Sequence, residues 1–166
     1  MARYTVLRLL MALLMLALVA GPVAAAGDDR NFVSPLQGEN EVPAVDTRTV
    51  GVATFKLNEA ETELSYKLIV ANGVEVTQSH IHCGPPGVNG PVVVFLYGFG
   101  PTVDISGILA QGLKTNADVI PRADSAACPG GVANLGDVIA KMRSGGAYTN
   151  VHTVANPGGE TRGPIH

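Results

Sequence analysis

Beyond residue 30, glycine and proline cut this chain into runs that suit strands and turns, with one exception. The chain carries 20 Gly and 11 Pro in 166 residues, and both residue types interrupt helices and central strands. Between the breaks, apolar and polar residues mostly alternate, which is the period of a strand with one buried face. Phe32-Val33-Ser34-Pro35-Leu36 is the first such run. Gly38 to Pro43 reads as an irregular edge segment, because Pro35 and Pro43 cannot donate to a central ladder. Gly51 to Leu57 and Leu64 to Val70 flank the polar stretch Asn58 to Glu63, which predicts a hairpin. Val76 to Cys83 and Pro91 to Tyr97 are the next two strands. The seven residues between them, Gly84-Pro85-Pro86-Gly87-Val88-Asn89-Gly90, mark a tight, ordered turn.

Val92-Val93-Val94-Phe95-Leu96 does not alternate, so this strand is expected to be buried on both faces. From Gly98 to Val132 nine Gly and Pro residues break the pattern, which reads as a long crossover. The exception follows. Leu135, Val138, Ile139 and Met142 recur at i, i+3, i+4 and i+7, one face of a helix at about residues 135 to 144. Asn134 suits its N-cap, Asp137 its first turn, and Lys141, Arg143 and Gly145 its end. Tyr148 to Val154 and Thr161 to Ile165, separated by Asn156-Pro157-Gly158-Gly159, close the chain. About seven short strands and one helix predict an all-β fold, an antiparallel β-sandwich or Greek-key barrel.

Arg3 and Arg8 precede twelve apolar residues, Leu9 to Ala20, then Gly21-Pro22 and Ala24-Ala25-Ala26. That order is expected of a secretory signal peptide over residues 1 to 26, cleaved after Ala26. Twelve residues fall short of the roughly 20 that span hydrocarbon, so an uncleaved anchor is the weaker reading. The expected mature domain is residues 27 to 166, exported to the periplasm or beyond and not inserted in the membrane. Removal of Arg3 and Arg8 leaves nine basic against 14 acidic residues, and a basic footprint for nucleic acid is missing. Two cysteines, Cys83 and Cys128, are an even count in an oxidising compartment and predict a disulfide. The competing reading makes Cys83 a thiolate ligand beside His82.

The chemistry-bearing feature is Ser79-His80-Ile81-His82-Cys83, answered by Tyr148-Thr149-Asn150-Val151-His152-Thr153. Alternation puts His80 and His82 on one face of a strand, opposite Ile81 and Cys83, and puts His152 opposite Val151. Imidazoles at i and i+2 stand about 6.6 Å apart at the backbone, two rises of roughly 3.3 Å, so one ion with bonds near 2.0 Å can bridge them. Imidazole suits copper, zinc, iron or nickel. With apolar residues turned inward, the three rings are expected on the outer surface, in a shallow site covered by loops. Asn150 shares the face of His152 and is expected to orient an imidazole. The bland alternative has the histidines hydrogen-bonded to backbone or to Asn150, stabilising loops only.

His166 is a lesser ligand candidate, since a terminal residue tends to stay solvated. Arg162 is expected to pair with Glu160 or Glu41, or to guide an anion to a metal; Glu39 and Glu41 read as a solvated edge. Ser79 and His80 are neighbours in a strand and point to opposite faces, so they form no nucleophile-base dyad. Neither a Gly-x-Ser-x-Gly elbow nor a Gly-x-x-x-x-Gly-Lys phosphate loop occurs.

At Leu36 to Pro43, Gly51 to Val70, His80-Ile81-His82 with Gly84 to Val94, and Gly146 to Gly163, the chain resembles the CHRD domain family, named for the repeated domain of chordin. These pieces run in order over nearly all of the mature chain. The resemblance implies a single exported domain. It does not imply growth-factor binding, because chordin's cysteine-rich binding modules have no counterpart here. A fainter similarity runs to Cu/Zn superoxide dismutase, whose copper is held partly by a His-x-His strand and a later Val-His; His80, His82 and Val151-His152 match those ligands. No histidine lies between His82 and His152, so the bridging and zinc ligands have no match. Three functions follow as expectations. The first is an exported module holding a transition metal, copper before zinc, for storage, delivery or protection. The second is a metal-free envelope or extracellular interaction module. The third, a dismutase-like redox enzyme, is the least favoured, and the protein partner is left open.

Overall fold

The computed structural model describes residues 29–98 and 100–166; the expected leader at residues 1–26 lies outside them. Seven strands and one α-helix follow in chain order: β1 (Asn31–Leu36), β2 (Val50–Leu57), β3 (Leu64–Cys83), β4 (Val92–Tyr97), β5 (Val103–Lys114), α1 (Leu135–Arg143), β6 (Ala147–Thr153) and β7 (Thr161–Pro164). Every pairing is antiparallel, in the order β1-β2-β3-β6-β7, with β4 and β5 also on β3. The ends of that path meet. Gln37 and Arg162 exchange backbone hydrogen bonds of 3.0 and 3.1 Å, and Val33 and His166 exchange two more of 2.8 and 3.0 Å. The sheet is thereby nearly closed as a barrel, and the all-β expectation holds.

β3 is the spine. Two strands were expected where one of 20 residues runs. Leu64, Tyr66, Leu68 and Val70 turn inward while β2 and β5 flank them. Register shifts then bend the strand between Val70 and Val76, with Asn72 at φ 57° and Glu75 at φ 47° in the left-handed region. Past the bend β4 and β6 replace β5 and β2 as neighbours, and Val76 pairs Val103 on one edge and Thr153 on the other. One strand thus serves two layers.

The expected crossover from Gly98 to Val132 contains β5, which periodicity missed for a physical reason. Leu68 pairs Ala110 and Ile69 pairs Ile108, so Leu109 is an extra residue that shifts the alternation by one. β4 is also less covered than expected: Val93 and Val94 are buried on opposite faces, but Val92, Phe95 and Tyr97 are half-exposed. The strand buried on both faces is β6, at all seven residues.

α1 matches its expectation. Leu135, Val138, Ile139 and Met142 are buried, and Asn134 and Asp137 cap the start reciprocally. Among the described residues no helix is long and apolar enough to cross a membrane.

Candidate metal centre

The β3–β6 ladder assembles the site. Gln78 pairs His152, His80 pairs Asn150 and His82 pairs Tyr148, so these six side chains share one face of the sheet. Asn150 pairs Arg162 of β7 in turn, and His80 pairs Phe95 of β4. Ile81, Cys83 and Val151 turn to the opposite face and are fully buried in the core. The adjacency of the His152 strand to the His80 strand is a product of this ladder.

The face is not an open surface. His80, His82 and His152 are 2, 7 and 6 % exposed, which corrects the expectation of a shallow outer site. Two loops close over the rings. The Gly90 carbonyl accepts a 2.8 Å hydrogen bond from His82 Nδ1, and the Pro157 carbonyl accepts one of 2.9 Å from His152 Nδ1. Asn89 donates from its side chain to the Val42 carbonyl at 2.6 Å and accepts from Arg162 Nη1 at 3.0 Å, while Arg162 Nη2 donates to the Val88 carbonyl at 2.6 Å. Aromatic walls complete the enclosure: Tyr148 stacks on His82 with centroids 4.7 Å apart, and Phe95 meets His80 edge-on at 4.4 Å. Arg162 covers the Tyr148 ring at 3.4 Å.

The hydrogen-bond partners assign the tautomers. A carbonyl oxygen only accepts, so His82 and His152 carry their protons on Nδ1 and present bare Nε2 atoms inward. His80 Nε2 lies 3.2 Å from Gln78 Oε1 and its Nδ1 3.2 Å from His152 Nε2; a proton on Nε2, donated to Gln78, leaves Nδ1 bare. His82 Nε2 is buried without any hydrogen-bond partner. The three ligand nitrogens lie within 4.8 Å of one another, and a small contraction would give bonds of about 2.0–2.1 Å to one ion. Burial and the neighbouring imidazoles pull the His80 pKa down to about 3. Burial pulls His82 down to about 4 against the Gly90 hydrogen bond, and lowers His152 against the Pro157 one. All three rings are neutral at pH 7, the state in which imidazole binds a metal.

The remaining sequence candidates fall elsewhere. His166 is exposed, holds Val33 through its backbone and stands outside the cluster. Cys83 is bonded to Cys128, with Cα atoms 5.3 Å apart, on the face away from His82, so the disulfide reading holds and the thiolate-ligand reading is overturned. Arg162 is engaged by Asn89, Val88 and Tyr148. Glu160, expected as its partner, is instead held by Thr47, Thr153 and Asn156. Asn150 is 2 % exposed and its Oδ1 has no hydrogen bond. Gln78 and Tyr148 were legible in the alternation that placed the histidines, whereas the Gly90 and Pro157 carbonyls carry no side-chain signal.

Glu41 also departs from expectation. Glu39 is solvated, but Glu41 is 7 % exposed, with Oε1 unpartnered and its carboxylate packed against Gly159. Burial pushes its pKa up to about 7, opposed by Arg162 and the Val42 N–H. A carboxyl with a raised folded pKa loses stability as pH climbs from its ordinary 4.5 through 7. Glu41→Gln is therefore expected to melt above the parent protein at pH 8, with the gap closing at pH 5. A lower melting temperature than the parent at pH 8 would show that the charge is satisfied.

No curated protein and no solved structure matches the chain. The CHRD domain matches residues 32–165. That stretch reaches from the first buried residue of β1 past the end of β7, and takes in the helix, the disulfide and the whole histidine cluster. A match that leaves no strand of the barrel outside it is a match of the fold as a unit, and the chain belongs to the CHRD domain family.

Proposed function

We propose that this domain holds a transition-metal ion between His80, His82 and His152, for storage, delivery or protection. One observation carries the reading: each ring presents a bare nitrogen inward while its other nitrogen is fixed on a carbonyl or amide oxygen. Such outer partners are what orient histidine ligands in metal sites. With the His80 proton on Nε2 and no cation between the rings, the same geometry sets two lone pairs 3.2 Å apart, next to a third, His82 Nε2, that has no partner among the described residues. Copper is favoured because nitrogen sites bind it above zinc in the order of divalent affinities. The near-complete burial of the rings suits holding an ion better than turning over a substrate. The CHRD family is of extracellular type, and the Cys83–Cys128 disulfide fits an oxidising compartment.

The test is metal content. Protein purified from an exporting host and dialysed against copper or zinc is expected to retain about one ion per chain by elemental analysis. The His80→Ala/His82→Ala variant, checked for native circular dichroism, is expected to retain none. Wild-type protein that takes up neither metal leaves the histidines as loop supports in a metal-free module.

A further inference from the structure

We infer that Asn150 Oδ1 is the fourth ligand of this centre, completing a three-nitrogen, one-oxygen set that selects a divalent ion, copper(II) or zinc(II), over copper(I). The inference rests on the metal reading above and goes beyond it by naming a ligand and an oxidation state.

Position comes first. Asn150 lies directly across the ladder from His80 and two residues before His152 on the same strand face, with His82 on the diagonal. It therefore sits amid the three rings. Partner accounting comes second. Asn150 is 2 % exposed, and its Oδ1 and His82 Nε2 are both buried polar atoms without a hydrogen bond. A buried polar atom left unsatisfied keeps the full penalty of its lost hydration, so native proteins rarely keep two on one face without a use for them. His82 donates from Nδ1 to Gly90, so its Nε2 is an acceptor beside the Asn150 amide, which lies in hydrogen-bonding reach of both His80 and His82. The His80 Nδ1 and His152 Nε2 lone pairs face the same space. With the His80 proton on Nε2, four electron-pair donors face this space, and a single cation satisfies all four.

The donor set then narrows the ion. An amide oxygen is a harder donor than imidazole or sulfur. Mixed nitrogen and oxygen sets suit copper(II), and zinc accepts oxygen in four-coordinate sites, whereas soft sulfur ligands are what select copper(I). The cysteine sulfurs, Cys83 and Cys128, are locked in a disulfide on the other side of the sheet, and Met142 is buried in the core on α1.

The test compares wild type with Asn150→Leu, which keeps the side-chain volume and removes the oxygen, and with Asn150→Asp, which restores it. Affinities for copper(II), zinc(II) and copper(I) are measured by chelator competition. Asn150→Leu is expected to weaken both divalent ions by more than about 100-fold, beyond the 10–100-fold effect of a partner outside the ligand set. Copper(I) is expected to change by less than about 10-fold, and Asn150→Asp is expected to recover divalent binding. Should Asn150→Leu fail to fold, pulsed electron paramagnetic resonance of copper(II)-loaded wild type with 13C in its asparagine side-chain carbonyls reads ligation directly, as a coupling to one such carbon. Equal weakening of all three ions, or no carbon coupling, would make Asn150 a positioning residue and overturn the assignment while leaving the metal reading intact. Wild-type protein that binds no metal overturns both.

Discussion

Metal-free protein is expected to lose stability between pH 6.5 and pH 4.5, most steeply in the Glu41→Gln background, because it folds around imidazoles that refuse protons. The sign follows from the direction of the shifts. Burial lowers the pKa of His80 to about 3 and of His82 to about 4, from an unfolded value of 6.5, and lowers that of His152 as well. Above pH 6.5 both states hold the rings neutral and nothing is lost. Below it the unfolded chain binds protons that the folded chain excludes, so each ring costs about 1.4 kcal/mol per pH unit until its folded pKa is reached. Two rings over two units amount to roughly 5 kcal/mol, of which the opposite titration of Glu41 over the same range offsets about half. Urea midpoints in a chelating buffer, taken from pH 7.5 to 4.5, give the measurement. A flat midpoint over that range in Glu41→Gln, where the opposing carboxyl is removed, would mean that the cluster protonates without strain and that its rings are more accessible than their burial indicates. A bound ion competes with protons for the same lone pairs, so metal-loaded protein is expected to begin its decline at lower pH.

The second large effect belongs to the disulfide. Cys83→Ala/Cys128→Ala is expected to lower the unfolding free energy by about 4 kcal/mol, the chain-entropy cost of releasing a 45-residue loop. For a domain of this size that corresponds to a fall of roughly 15 °C in melting temperature. The bridge ties the C-terminal end of β3 to the segment after β5, and its half-cystines are fully buried. Cys83 also donates its N–H to the Pro91 carbonyl at 3.1 Å, and Gly84 donates to the Gly146 carbonyl at 2.9 Å. Both bonds anchor the turn whose Gly90 carbonyl holds His82. The variant is therefore expected to weaken metal retention along with stability. A melting temperature within a few degrees of wild type would show that the backbone bonds alone hold this corner.

Several features were readable residue by residue. The hairpin from Val50 to Val70, the helix with its Asn134–Asp137 cap, and the common face of His80 and His82 all follow from periods of two and of 3.6, which short segments carry within themselves. β5 was hidden because the extra residue Leu109 breaks that period, and the continuity of β3 because its bend falls at the non-alternating stretch around Gly73. Glu41 looked like an edge charge. Its burial arises from Gly159, more than a hundred residues away in sequence.

Taken alone, the amino-acid order determined which residues alternate, where turns fall, that two cysteines are available to pair, and that three histidines are available on strand faces. Each of these is a local property, set by backbone period, by the torsional limits of Gly and Pro, or by count. Only the tertiary structure decided that β6 lies beside β3, that loops seal the rings from water, and which ring nitrogen stays bare. Those outcomes depend on strand pairing between residues some 70 positions apart, such as His80 with Asn150, and on the Gly90 and Pro157 carbonyls, backbone groups that every sequence contains. Long-range pairing therefore turned three separate histidines into one candidate centre.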